Sequence, residues 1–510
     1  MTFIRNIILI FFLTNTASGL LIRDDSQLNI KNIKHGSLLN LTLHDEPVEP
    51  SPGSFQNSAE SSKNFPDEDP LLDKKMAEKY GLIIPPPDVK IEPAPEWLQK
   101  SDMFTFDWAV WKGQKFIIKD TLITRIVRIR ASYGLREVTE HYPVETIDSF
   151  DGSIIKGVSL FTQAPHCRKA FEEAHKQGVR AIPYVHFSDI HTFYSDQDVF
   201  FFQHPEILLK DERGRWLHMP MDGSSRAFRF MTCSNSPSYW KLSLAYIKKM
   251  MDWGADGIFF DNVGRREPCF GLKFNVGESS SARNPEFPPY VHEHLFPDTT
   301  EAYAWERMIH TIRALVKSYG EDKIVLLNSG IGTPYQKYGD CCEWESFIYS
   351  WAWEGRRHTW ADVKKRAKEN EWYLNAGGRI TAKSFLNRKR PEIKDDAFWA
   401  FSAARLVDFV WWAELNGTGA EVLYQAHMGI GLEPFKEQNG LAFRTFQNGF
   451  IVLNDSEEDQ IAVLPLQTGF QPKHLIDLYN NSQIVQVKNK KIKVSVPKKA
   501  ARVYVSVLNL

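Results

Sequence analysis

The chain has 510 residues, with 62 lysines and arginines against 63 aspartates and glutamates. Such a length implies roughly two to four domains. A hydrophobic fraction of 43% with 13% aromatics supports a large core and excludes a chain disordered throughout. The net charge of −1 argues against a nucleic-acid binder, which depends on a net basic field.

In chain order, residues 1–19 read as a signal peptide: Arg5 supplies the charge, Ile7 to Leu13 the apolar run, and Ala17-Ser18-Gly19 the small residues for cleavage. Seven apolar residues do not span a bilayer, and no later segment approaches the ~20 required. The expectation is a soluble protein that is secreted or held in the lumen of the secretory route, with no membrane insertion. Sequons at Asn40, Asn416, Asn454 and Asn480 are compatible with a glycoprotein. In an oxidising compartment the five cysteines (Cys167, Cys233, Cys269, Cys341, Cys342) predict one or two disulfides and a leftover thiol. Adjacent Cys341 and Cys342 are poor partners for each other, since neighbouring side chains diverge on a strand. No pair has C-x-x-C spacing and His292-Glu293-His294 is not H-E-x-x-H, so neither a metal nor a cofactor is expected.

Residues 20–95 are polar and rich in Ser, Asp, Glu and Pro, ending in Pro85-Pro86-Pro87 and Pro93-Ala94-Pro95. They read as a disordered leader with one short helix near Leu71 to Tyr80. From 96 to 434 helix-period segments alternate with short apolar runs. Asn235-Ser236-Pro237 opens a helix that Gly254 ends, and Asp256 to Asp261 follows as a strand. The pattern recurs at Pro165 to Lys176 before Val179 to Val185. It recurs again in a helix capped by Asp298, with Glu301 three residues later, before Ile324 to Asn328. Further strands are expected at Phe104 to Val110, Ile126 to Ala131, Cys342 to Ile348, Arg379 to Phe385 and Asp408 to Trp412. Unalternating apolar strands are buried on both faces, as in a parallel sheet covered by helices. Eight such units predict an α/β fold, a (β/α)8 TIM barrel with long loops. A doubly wound open sheet is the other topology, but no G-x-G-x-x-G or P-loop supports its nucleotide site. From 435 to 510 six short strands without helices predict a small C-terminal antiparallel β domain. The basic runs Arg388-Lys389-Arg390 and Lys488–Lys493 read as solvated surface.

Barrel sites lie at the carboxyl ends of the strands. Those ends carry Asp107, Tyr184, His186, Asp261, Asn262, Asn328, Glu343, Glu345, Lys383 and Glu414. Trp108, Trp111, Trp351, Trp353, Trp411 and Trp412 flank them. Carboxylates and amides beside flat aromatic faces suit carbohydrate, whose C–H faces stack on rings while its hydroxyls pair.

Trp253 to Asn262 (WGADGIFFDN) resembles the fourth strand of TIM-barrel glycoside hydrolases of the α-glycosidase-like group. Val179 to His186 resembles an earlier strand of the same barrels, and Arg444 to Asn454 the opening of their C-terminal β domain. The resemblance covers residues 100 to 510 in architecture and is specific over these runs alone. It implies that the strand-end Asp261 is catalytic. A second carboxylate is needed as general acid. Glu343 and Glu345 share a strand face, and Glu345, nearer the strand end, is the expected acid, with Glu414 in reserve. Tyr184, His186, Asn262, Asn328, Lys383, Glu414 and Trp351 are the expected substrate contacts. A glycan on Asn416 would crowd Glu414 at the barrel mouth. The function expected is a secreted glycoside hydrolase needing no cofactor; the alternative is a catalytically silent barrel that binds glycans.

Overall fold

The computed structural model describes residues 69–87 and 92–106, parts of 126–263, Cys269, and 293–506 without 350–356, 416 and 481–482. The signal peptide, most of the leader, Cys167, Asn262 and Trp351 lie outside the described residues. Within the leader, residues 69–87 pack against the helices. Helix α1 (Lys74–Tyr80) is capped by Asp73, which accepts from the Met76 N–H, and it buries Ala77 and Tyr80. Asp69, 4% exposed, pairs with the buried Arg307 guanidinium at 2.8 Å. Helix α2 (Glu96–Gln99) then sets Leu98 into the barrel interior, and its Trp97 Nε1–H donates to the Asp322 carbonyl.

Strands β1 (Met103–Phe106), β2 (Ile126–Arg130) and β3 (Arg180–His186) follow. A small antiparallel sheet then interrupts, made of β4 (Asp189–Thr192), β5 (His218–Pro220) and β6 (Phe228–Met231). Helix α3 (Pro237–Asp252) starts where expected, with Ser236 accepting from the Tyr239 N–H and Pro237 in the first turn. Gly254, at φ +95°, turns the chain into β7 (Gly257–Asp261). Helix α4 (Glu301–Lys317) leads into β8 (Ile324–Asn328). Its cap is Thr300, not Asp298, because the Thr300 hydroxyl reaches the Tyr303 N–H. Strand β9 (Cys341–Ile348) precedes α5 (Trp360–Glu369) and α6 (Glu371–Asn375); β10 (Arg379–Ser384), α7 (Ile393–Leu406) and β11 (Val410–Trp412) complete the unit.

Every pairing among these eight strands is parallel. They run in the order β1-β2-β3-β7-β8-β9-β10-β11, and β11 returns to β1 so that the sheet closes. The helical half of the repeat is less regular. Between β8 and β9 the chain makes only a 3-10 turn at Gln336–Tyr338, with no α-helix. Alternation along each strand sorts the side chains. Ile258, Phe260, Val325, Leu327, Cys342, Trp344, Ile380 and Trp411 face the surrounding helices, while Phe259, Ile324, Leu326, Cys341, Val410 and Trp412 fill the interior. Gly257 is required where β7 meets β8, since a Cβ there would run into the Ile324 backbone. The described cysteines form no disulfide, contrary to the expected bridges. Cys341 and Cys342 point to opposite faces of β9, and Cys233 donates to a carboxylate.

The C-terminal strands are β12 (Lys436–Gln438), β13 (Leu441–Thr445), β14 (Gly449–Asn454), β15 (Gln460–Pro465), β16 (His474–Asp477), β17 (Gln483–Lys488), β18 (Lys491–Val496) and β19 (Ala500–Ser506). They form one antiparallel sheet in the order β12-β13-β14-β19-β16-β17-β18-β15. One face of β13, β14 and β19 (Ala442, Ile451, Leu453, Val503) joins the main core. There it covers α7, whose Phe398, Trp399, Ala400 and Phe401 are all fully buried. The other face (Phe443, Phe450, Val452, Tyr504) packs on Leu464, Ile492 and Val494 as a second core. A helix apolar on every side needs such a double cover.

Candidate active site

The two aspartates of the strand-four run have opposite surroundings. Asp256, at the amino end of β7, is 3% exposed and ringed by Arg180, Lys323 and His175, and it accepts the Ala181 N–H. Burial alone would raise its pKa, but the Ala181 N–H, Lys323 and His175 bring it below the usual carboxylate value. These partners tie the amino ends of β3, β7 and β8 together, which is a structural role. Asp261, at the carboxyl end, is half-buried and meets a different set.

That set comes from three successive strands. The Asn328 amide, at the end of β8, donates to Asp261 Oδ1 and to Glu345 Oε2, the latter at 3.0 Å. On the far side of Glu345, the Lys383 ammonium of β10 donates to Oε1 at 2.7 Å. The same ammonium lies 3.7 Å from Glu343 Oε1, one step deeper on β9. It also sits 4.2 Å from the Trp412 ring centroid and 4.7 Å from that of Phe385. Register explains the convergence: Asn328 is level with Glu343, and Lys383 with Trp412. Glu343 is 1% exposed and Glu345 31%, so the first belongs to the packed interior and the second to its rim. The backbone changes hand just after Asn328 and just after Glu345, with Ser329 at φ 55° and Ser346 at φ 62°. The pairing of β9 with β10 also slips between Ala382 and Ser384. Such irregularity at strand ends re-aims side chains.

Two carboxylate oxygens that accept from one amide nitrogen lie no further apart than two hydrogen bonds, roughly 6 Å. Both oxygens of Glu345 act as acceptors, the pattern of an anion. The arrangement is a rim of two carboxylates, an amide and an ammonium on an aromatic floor.

Of the residues expected at the site, Asp261, Asn328, Glu345 and Lys383 come together. Tyr184 and His186 lie on β3, with His186 in register with Asp261, but their side chains are outside the described residues. Glu414 stands two residues beyond β11, half-exposed, and pairs with Arg388 at 2.9 Å, apart from the cluster. Trp411 faces the helices and donates to Ser384 Oγ, so of the adjacent tryptophans it is Trp412 that lines the interior.

A second group was not read from the sequence. Cys233, Cys269, His294 and Glu301 bring one donor atom each to within 4.8 Å of all the others. Sequence spacing gives no sign of it, because Cys233, Cys269 and the His294–Glu301 stretch are far apart in the chain.

No family model and no curated protein matches the chain. Solved structures that it resembles are glycoside hydrolases. Amy13B of Eubacterium rectale is 8% identical at a TM-score of 0.46, over 82% of this chain and 97% of that one. The acarbose-soaked debranching enzyme of Nostoc punctiforme is 10% identical at 0.46, over 82% and 100%. The α-amylase of Malbranchea cinnamomea is 9% identical at 0.44, over 81% and 98%.

Proposed function

We propose that the protein is a glycoside hydrolase on a (β/α)8 TIM barrel, acting in the secretory route or outside the cell, with carbohydrate as its substrate. The observation that carries this reading is the Asn328 amide shared by Asp261 and Glu345. A pair so bridged is consistent with the closer of the two carboxylate spacings used for glycosidic cleavage, ~5–5.5 Å for retention against ~6.5–9.5 Å for inversion. Asp261 would attack the anomeric carbon and form a glycosyl ester. Glu345, an anion while Lys383 holds it, would first take a proton from solvent as Lys383 leaves, pass it to the leaving oxygen, and then take a proton from the water that releases the sugar. For that exchange Glu345 must give up Lys383. Glu343, already 3.7 Å from the ammonium, is the second anion that would hold Lys383 meanwhile. Trp412 and Phe385 supply apolar surface beside this rim.

One observation favours the silent glycan-binding barrel instead. Both oxygens of Glu345 are engaged by donors, as in a carboxylate kept for structure. Hydrolysis of a panel of glycans and aryl glycosides by the whole protein, beside Asp261→Asn and Glu345→Gln, separates the two. The hydrolase reading expects turnover that both folded variants lose by orders of magnitude. Glycan binding without turnover in the wild type would give the silent barrel the lead.

A further inference from the structure

The cluster at the entrance of α4 has the composition and spacing of a metal site. Cys233 Sγ lies 3.5 Å from His294 Nε2 and 3.2 Å from Glu301 Oε1, and Cys269 Sγ completes a set confined within 4.8 Å. A tetrahedral zinc with Zn–S of ~2.3 Å and Zn–N or Zn–O of ~2.0–2.1 Å has ligand-to-ligand edges of about 3.5 Å between sulfur and nitrogen or oxygen. The edges from Cys233 Sγ to His294 and Glu301 match that figure within a few tenths of an ångström. Two thiols, one imidazole and one carboxylate form a donor set that zinc prefers over the hard, oxygen-seeking cations.

The second shell is built as well. Glu301 Oε2, the oxygen that does not face Cys233, accepts the Ser234 N–H at 2.7 Å and the Ser234 hydroxyl. This aims Oε1 at the cluster. Cys233 (0% exposed), Glu301 (3%) and His294 (5%) are buried, and Lys210, at 2%, interacts electrostatically with Cys269. Two thiolates and a carboxylate around a divalent ion leave one negative charge, which Lys210 offsets.

We propose that Cys233, Cys269, His294 and Glu301 bind one zinc ion in a closed, structural site. Binding joins Cys233 Sγ, Cys269 Sγ, His294 Nε2 and Glu301 Oε1 to the metal and releases the two thiol protons to solvent. With four protein ligands no position is left for water, so the ion is not a catalyst. Its effect is to hold Cys269, eight residues beyond Asp261, against the starts of α3 and α4.

The test is metal analysis of the full-length protein purified without chelator, with thiol titration and intact mass on the same sample. The expected result is one zinc per chain and two thiols that react only after a chelator is added. The metal should fall to under a tenth of an equivalent in Cys269→Ser, with a clear loss in His294→Gln. Cobalt in place of zinc should give thiolate charge-transfer absorption in the wild type that is lost, with the metal, in Cys269→Ser. If that variant fails to fold, the chelator-dependent thiol count on the wild type still decides. A Cys233–Cys269 disulfide, seen as a mass about two daltons lower without metal, overturns the proposal. So do thiols that react fully in metal-free folded protein, or full zinc in folded Cys269→Ser.

Discussion

The rim at the barrel mouth and the cluster at the start of α4 use overlapping chemistry and reach opposite ends. Each sets a carboxylate beside nitrogen donors, yet at the rim Asn328 and Lys383 hold Glu345 from its two oxygens and leave it 31% exposed. At α4 four donor atoms face one another and the carboxylate is 3% exposed. The difference teaches how charge is allotted in this fold. Where a carboxylate must meet an incoming ligand, a neighbour such as Asn328 or Lys383 holds it from the side. Where it serves cohesion, its partners surround it, as they do Asp256 and Asp69.

The sharpest way to break this comparison is to neutralise the rim. Asp261→Asn is expected to lower kcat/KM by about 10⁴-fold, near 5 kcal/mol of transition-state stabilisation. Its melting temperature should stay close to wild type, as kinetics and calorimetry on one sample would check. If the Tm collapses as well, the rim is structural and the distinction fails.

A surrounded carboxylate should behave in the reverse sense. Asp69→Ala leaves Arg307 buried without its partner and is expected to cost about 3–5 kcal/mol in denaturant unfolding, with KM little changed. Gly257→Ala tests the close approach of β7 and β8. A Cβ against the Ile324 backbone is expected to cost about 1–3 kcal/mol and to disturb Asp261 at the other end of the strand.

The smallest effect is one of pH. Burial, with Arg307 beside it, pushes the pKa of His310 down to about 4, and its Nδ1 lies 2.8 Å from the Arg307 guanidinium. The ring is therefore neutral in the fold, whereas an unfolded histidine titrates near ~6.5. Its contribution is complete above that value and is lost as pH falls from ~6.5 through about 4. Partial exposure limits it to roughly 1–2 kcal/mol. His310→Gln should flatten that part of the stability–pH curve.

The barrel strands were legible most directly at β7, β8 and β11, whose unbroken apolar runs suit a sheet buried on both faces, while β2, β3, β9 and β10 carry charged residues within shorter apolar stretches. Asp261, Asn328, Glu345 and Lys383 were legible by position at strand ends, and their parity follows from the period of two. Glu414 was not, since β11 is only three residues long and ends before it. Trp411 and Trp412 became distinguishable only through register. The sheet of β4 to β6 and the strands β12 and β16 escaped notice because three or four residues carry too little pattern; β12 is exposed throughout. The cap of α4 was misassigned because Asp298 and Thr300 both suit that place, and Glu301 turns to Ser234 instead of closing a capping box. The thiol–imidazole–carboxylate cluster had no signature at all, with Cys233 and Glu301 separated by 68 positions.

The most direct test of the close pair at the rim is to trap the sugar. After the panel identifies the best glycoside, its slow 2-deoxy-2-fluoro analogue is incubated with the protein and the labelled peptide is mapped by mass spectrometry. A nucleophilic Asp261 beside Glu345 predicts one glycosyl adduct per chain, on Asp261, and a first product of retained anomeric configuration. Turnover with an inverted product and no adduct, or an adduct on any other carboxylate, would contradict the assignment.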